Sequence, residues 1–232
     1  MKLQWVVVLG ILILVSQASA QESPVLKNQK DKVSYVIGME IGNNFKKQSI
    51  DIDPEILARG IKDALSGRKP LVTEQDAKET MAAFQKEMMA KHAETMKGVG
   101  EKNRKEGEAF LVENKKKEGV KTLPSGLQYK VVKVGTGKKP KSADTVTVNY
   151  RGTLIDGTEF DSSYKRGQPA TFPVSGVIPG WTEALQLMEE GAKWQVIVPS
   201  KLGYGERGAG PTIGPNATLI FEIELISVQE KK

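Results

Sequence analysis

Apolar residues recur at every fourth position through Val33, Ile37, Ile41 and Phe45, with Val36 beside them. That period predicts an amphipathic helix over about residues 31–47. Ser34, Gly38 and Gly42 form a second row at the same spacing, with Met39 between the glycines. Glycine inside a helix costs about 1 kcal/mol against alanine. Two on one line therefore point to the close approach of another helix, and methionine supplies adaptable packing. A contact between subunits and packing within one chain both satisfy that row. A second helix is expected after Asp53. Pro54 stands at its first position, where a missing N–H is harmless. Leu57, Ile61, Ala64 and Leu65 make its apolar face, and Gly67 ends it. Two helices of this size are too small to hold a core alone.

From Thr73, which with Asp76 resembles a capping box, the helical period continues to about Glu118. Ala77, Met81, Phe84 and Met88 mark an apolar stripe through the first turns. After Met96 the stripe thins to Val99 and Phe110-Leu111, and Lys, Glu and Asn take over. The expectation is a solvated stalk, with Gly98, Gly100 and Gly107 as points where it kinks or breaks. Past Gly119 the period changes to two. Leu127, Tyr129 and Val131 alternate as a strand, and Val146, Val148 and Tyr150 begin the next. Asp156-Gly157 is a hairpin turn. Pro179-Gly180 opens a short helix with Trp181, Ala184, Leu185 and Met188 on one face. Residues 194–198 read as a strand, and Leu219, Phe221, Ile223 and Leu225 alternate along the last one. The fold class is α+β: a helical N-terminal region, a long connecting helix, then an antiparallel sheet with one short helix laid on it.

Composition narrows the chemistry. The 232 residues allow one or two domains. There is no cysteine, which removes disulfides, thiolate nucleophiles and cysteine metal sites. The one histidine, His92, lies among charged neighbours in the stalk and reads as a solvated residue rather than a ligand. The net charge of +6 would suit nucleic acid, but the lysines are spread along helices beside many glutamates. No nucleic-acid partner, metal or cofactor is expected. At the start, Lys2, an apolar run over residues 5–15 and Ala18-Ser19-Ala20 fit a secretory signal with its small-residue cleavage site. The run is too short to span a membrane. Residues 1–20 are therefore read as a signal peptide, with an uncleaved anchor as the alternative.

The C-terminal half carries ordered aromatic motifs: Tyr150, Gly157-Thr158-Glu159-Phe160-Asp161-Ser162-Ser163, Val177-Ile178-Pro179-Gly180-Trp181, Tyr204-Gly205 and Ala217-Thr218-Leu219-Ile220-Phe221. These aromatics fall at element edges, as when a small sheet lines a concave apolar pocket. Asp161 would need a second carboxylate for acid/base work, and neither Asp156 nor Glu159 has a fixed relation to it in the sequence. One reaction needs no acid, base or metal. Rotation about an X–Pro bond meets a barrier near 20 kcal/mol from amide resonance. An apolar pocket favours the twisted, less polar amide over the planar one.

This motif set resembles the FKBP-type peptidyl-prolyl cis-trans isomerases, and the segment before it resembles the dimeric bacterial members similar to the macrophage infectivity potentiator. The resemblance implies a half-barrel sheet wrapped around the short helix, and an isomerase that assists the folding of exported proteins. It places Trp181 at the floor of the proline pocket, with Tyr150, Phe160 and Phe221 as walls and Val177, Ile178 and Ile213 at the rim. The Ile178 N–H and the Tyr204 hydroxyl would hold substrate carbonyls. Asp161 would sit near the twisted amide, held by Tyr150 and paired with Arg166, which is grouped with Val177, Ile178 and Ile213 as substrate-binding. Ala170 stands where many members carry phenylalanine, so one wall is expected to be lower, and Thr212 with the run from Gly210 to Pro215 makes the loop before the last strand less standard. The resemblance also implies a homodimer through residues 31–67, with Val33, Ile37, Gly38, Met39, Ile41, Gly42 and Phe45 in the interface. Its partners would be proline-containing unfolded polypeptides, with macrolides such as rapamycin as inhibitors. The implied address is the periplasm, with outer-membrane association or the cell surface as further possibilities. The domain division is then 1–20 signal, 21–72 dimerisation, 73–120 connecting helix and 121–232 isomerase domain. A non-catalytic holdase, clamping unfolded clients between two pockets on long stalks, is the alternative.

Overall fold

Asn28 opens the first helix, α1 (Gln29–Lys47), by accepting the Asp31 N–H on its side-chain oxygen at 3.0 Å. The chain is described by a computed structural model over residues 26–231, so the signal segment expected at 1–20 lies outside the described residues. Asp53 caps α2 (Pro54–Leu65) in the same way, accepting from Glu55 and Ile56 at 2.9 and 3.1 Å, with Pro54 in the first turn. Among the described residues, nothing covers either apolar face. Val33, Ile37 and Met39 on α1 and Ile56, Ile61 and Leu65 on α2 are exposed, and a Cβ at Gly38 or Gly42 would meet nothing within 4 Å. Ile52, Ile56, Leu57 and Ile61 line an apolar groove of about 580 Å³.

The described residues divide into two compact units, with the boundary between Thr73 and Glu74. The second begins with α3 (Glu74–Asn114), a helix of 41 residues. Two expectations are corrected here. The helix does not break at Gly98, Gly100 or Gly107. Nor is its second half a solvated stalk. Gly100, Gly107 and Asn114 are buried, and with Asn103 and Leu111 they trace a helical stripe that lies against the C-terminal sheet domain. A Cβ on Gly107 would come within 3.2 Å of Thr218 Cβ. Asn114 donates to the Gln128 side chain at 2.9 Å, and Gln128 donates back to the Leu111 carbonyl at 2.9 Å. Gly100 and Gly107 mark close approach rather than weakness, whereas a Cβ on Gly98 would meet nothing within 4 Å. The stripe carries little apolar surface and so escapes a search for hydrophobic period.

The sheet that follows is open and antiparallel, in the order β1-β2-β6-β7-β3-β4, with β5 also paired to β3. The strands are β1 (Val120–Thr122), β2 (Gln128–Lys133), β3 (Thr145–Leu154), β4 (Glu159–Ser162), β5 (Ala170–Pro173), β6 (Lys193–Val198) and β7 (Leu219–Gln229). β1 and β5 were not expected. The first has only three residues, too few to show a period of two, and the second ends in a proline. Val146, Val148 and Tyr150 on β3 and Leu219, Phe221, Ile223 and Leu225 on β7 point inward with the period of two that the sequence shows. The helix α4 (Pro179–Leu187) lies on this face through Trp181, Ala184 and Leu185, with Met188 just past its end. Gly180 permits the approach: a Cβ there would fall 2.7 Å from Val198 Cγ1.

Candidate active site

The floor of the site is Trp181, delivered by the first turn of α4 and only 4% exposed. Three rings meet it edge-to-face: Tyr150 from β3 at 5.1 Å, Phe221 from β7 at 5.2 Å and Phe172 from β5 at 5.9 Å. Phe160 from β4 continues the wall, 5.5 Å from Phe221 at 84°. Such perpendicular pairs are the favoured geometry for aromatic quadrupoles. Together with Val177, Ile178, Tyr204 and Ile213 these residues line an open cavity of about 620 Å³. Gly152 makes room for it. It pairs across the sheet with Phe221 on one side and Asp161 on the other. A Cβ there would come within 2.5 Å of the Phe160 ring and 2.9 Å of the Phe221 ring.

The sequence-predicted residues Tyr150, Phe160, Asp161, Trp181, Tyr204, Phe221, Val177, Ile178 and Ile213 thus surround one cavity. Arg166 is not among the lining side chains. Its guanidinium lies against the Asp161 carboxylate, donates to the Tyr150 hydroxyl at 2.8 Å and stands 5.3 Å from the centre of the Tyr150 ring. Phe172 was missed. This ring, two residues on from Ala170 and on the same face of β5, lines the cavity, and Ala170 does not. The alternation of Ala170 and Phe172 is the signal that could have found it. The loop Gly210-Pro211-Thr212-Ile213 lines the cavity as well.

Among the described residues, Asp161 is the single carboxylate on the cavity lining. It accepts from the Tyr150 hydroxyl, from Arg166 and, on Oδ1, from the Ser162 N–H at 2.8 Å. Partial burial pushes its carboxyl up, but the hydrogen bonds from Tyr150 and Arg166 outweigh that and hold it below the usual aspartate range. Burial, then the bond to Asp161, pushes the Tyr150 hydroxyl above the usual tyrosine value. Across the neutral range the group therefore stays a carboxylate, a phenol and a guanidinium. No proton is poised for transfer at pH 7.

Two family models match the chain. "Domain amino terminal to FKBP-type peptidyl-prolyl isomerase" covers residues 30–131, and "FKBP-type peptidyl-prolyl cis-trans isomerase" covers residues 136–226. The chain is 52% identical over 230 residues to the outer membrane protein MIP of Legionella longbeachae, covering 99% of this chain and 98% of that protein. The chain belongs to the FKBP-type peptidyl-prolyl cis-trans isomerases. A second relative is the peptidyl-prolyl cis-trans isomerase Mip of Coxiella burnetii, 47% identical over 94% of this chain and 95% of that protein. Among solved structures, FkpA from Escherichia coli matches at a TM-score of 0.69 and 39% identity, covering 88% of this chain and 99% of that one. As an FKBP-type isomerase the chain catalyses cis–trans interconversion of X–Pro bonds, and the aromatic cavity belongs to the part matched by the isomerase model.

The charge state around Asp161 sets a pH expectation. Its pKa is depressed in the folded protein and that of Tyr150 is raised, so neither changes form near neutrality. The isomerisation rate constant should be flat between about pH 6 and about 8. The stabilisation that ionised Asp161 gives is complete above the ordinary aspartate pKa, and is lost as pH falls through its lower folded value. A rate profile on a short proline peptide checks this. A bell centred near neutrality would contradict it.

Proposed function

We propose that the proline ring of a substrate lies on Trp181, between Tyr150, Phe160, Phe172 and Phe221, with the preceding amide twisting beside Asp161. The observation that supports this reading most is the box of perpendicular rings around a buried indole. The planar amide is polar and prefers water. At 90° its resonance and much of its dipole are gone, so a dry aromatic box favours the twisted form by differential binding. Each 1.4 kcal/mol of that difference gives a factor of ten. Ile178 precedes the first turn of α4, so its own N–H stands outside the helix ladder and is assigned to a substrate carbonyl, with the Tyr204 hydroxyl as the second holder. Arg166 acts through Asp161 and Tyr150 rather than on the substrate. The same cavity is proposed to accept macrolides such as rapamycin.

The uncovered apolar faces of α1 and α2 support a homodimer through residues 31–67, in which a second copy covers the groove at Ile52, Ile56, Leu57 and Ile61. Two cavities in one assembly would let the isomerase hold an unfolded client at two points, so a holdase role accompanies catalysis. The signal-like residues 1–20 support export, and the Legionella relative is named as an outer membrane protein. Among the described residues no helix is long and apolar enough to cross a membrane.

The test of the pocket is Trp181→Ala. Truncating a buried tryptophan costs about 3–5 kcal/mol, so the urea midpoint is recorded alongside. With the variant still folded, kcat/KM for cis-to-trans relaxation of a short proline peptide should drop by at least about tenfold. A folded variant as fast as wild type would sink the assignment.

A further inference from the structure

One wall of the cavity is held from outside the sheet. Immediately after Ile213 the loop reaches α3. Asn103 donates from Nδ2 to the Pro215 carbonyl at 2.8 Å, and Asn216 donates from Nδ2 to the Gly100 carbonyl at 3.3 Å. The seam is tight on both sides. A Cβ on Gly100 would lie 3.1 Å from Pro215 Cβ, and one on Gly214 would lie 3.0 Å from Asn103 Nδ2. The loop is closed on itself by two backbone bonds between Ala209 and Ile213, at 2.8 and 3.2 Å, which do not tie it to the other walls of the cavity. Gly208 and Gly210 take positive φ, at 66° and 55°, and glycine loses more freedom on ordering than any other residue. A glycine-rich segment of this kind takes its position from its anchors. Here the anchors outside the sheet domain are two residues of a helix that contributes no side chain to the cavity.

We infer that Asn103 is a positioning residue for the isomerase site. Its bond to the Pro215 carbonyl, with Gly100 packed beneath the same proline, fixes how closely the wall at Thr212 and Ile213 closes on the substrate. The inference rests on the reading of the cavity as the proline site. α3 is on this view part of the site's supporting shell, and not only a connector.

The experiment uses the full chain. Asn103→Asp keeps the shape but sets an acceptor against the Pro215 carbonyl. Gly100→Ala pushes on Pro215 by an independent route. Both should raise KM for a proline peptide roughly fivefold, the size of one lost neutral hydrogen bond, with kcat changed less than about twofold. Both should also shift the Ile213 methyl resonances. Arg104→Gln, on the same helix and paired with Glu108 at 3.3 Å, should change neither. A role confined to stability would lower Tm in both variants and leave KM and the Ile213 methyls unmoved, and that result overturns the inference. Trp181→Ala in the same assay separates the two layers. If Trp181→Ala is impaired while Asn103→Asp and Gly100→Ala behave as wild type, only the positioning role fails. If Trp181→Ala is unimpaired, the cavity reading fails, and the positioning role with it.

Discussion

Gly152→Val is expected to silence the isomerase while leaving it folded. Gly152 occupies the inward face of β3, in register with Phe221 and Asp161 on its two neighbouring strands. The first carbon of any side chain there would press on the Phe160 and Phe221 rings, at 2.5 and 2.9 Å. These rings cannot both retreat. Phe221 is 4% exposed and braced edge-on against Trp181. Phe160 is partly exposed, and its free direction is the cavity itself. The added volume is therefore relieved by pushing Phe160 into the space assigned to the proline ring.

Overpacking of this sort costs about 1–3 kcal/mol, within the 5–15 kcal/mol by which domains are typically stable. The backbone ladder at position 152 does not depend on the side chain, so the sheet should persist. Loss of the pocket removes interactions that act on the twisted amide alone, and kcat/KM on a short proline peptide should fall by about a hundredfold. Gly152→Ala, with less volume to relieve, should fall between this and wild type. Relaxation rates read beside urea midpoints decide the matter. Full activity in a folded Gly152→Val protein would mean that the rings yield without closing the cavity, and that the box is looser than its geometry implies.

How much of this was legible in the sequence differs from element to element. The inward faces of β3, β7 and α4 were readable because a sheet and a short helix buried on one side impose apolar periods of 2 and 3.6. The cavity set was readable through ordered motifs, not through any single residue. Trp181 alone would pass for core, and it is indeed as buried as core. Phe172 was hidden by attention to Ala170, although the two share one face of β5. The docking stripe of α3 was hidden for a different physical reason. Gly100, Asn103, Gly107 and Asn114 approach the sheet domain through missing side chains and amide hydrogen bonds. Neither leaves an apolar period, and the same glycines read in isolation suggest a break. The pairing of Arg166 with Asp161 and Tyr150 was legible only through the family resemblance, because these residues lie on separate elements and no local period links them.

If the proposed homodimer and client clamp hold, the double variant Ile37→Glu, Ile61→Glu is expected to make the protein a monomer and to separate isomerisation from client holding. Both side chains are about half exposed in the single chain, Ile37 at 51% and Ile61 at 46%, so a carboxylate there is solvated and costs the isolated fold little. In a subunit contact the same carboxylates would be buried without partners, at several kcal/mol each, and the second copy doubles the count. Sedimentation should therefore report one chain instead of two. Each cavity remains intact, so kcat/KM per chain on a short peptide should stay within about twofold of wild type. Suppression of aggregation of an unfolded client should weaken by at least about tenfold, because the second cavity no longer acts at a raised effective concentration. If the variant is monomeric and still suppresses aggregation as well as wild type, each chain holds clients alone and the clamp is wrong. If it remains a dimer, the subunit contact lies elsewhere, and the apolar groove on α2 is left for a different occupant.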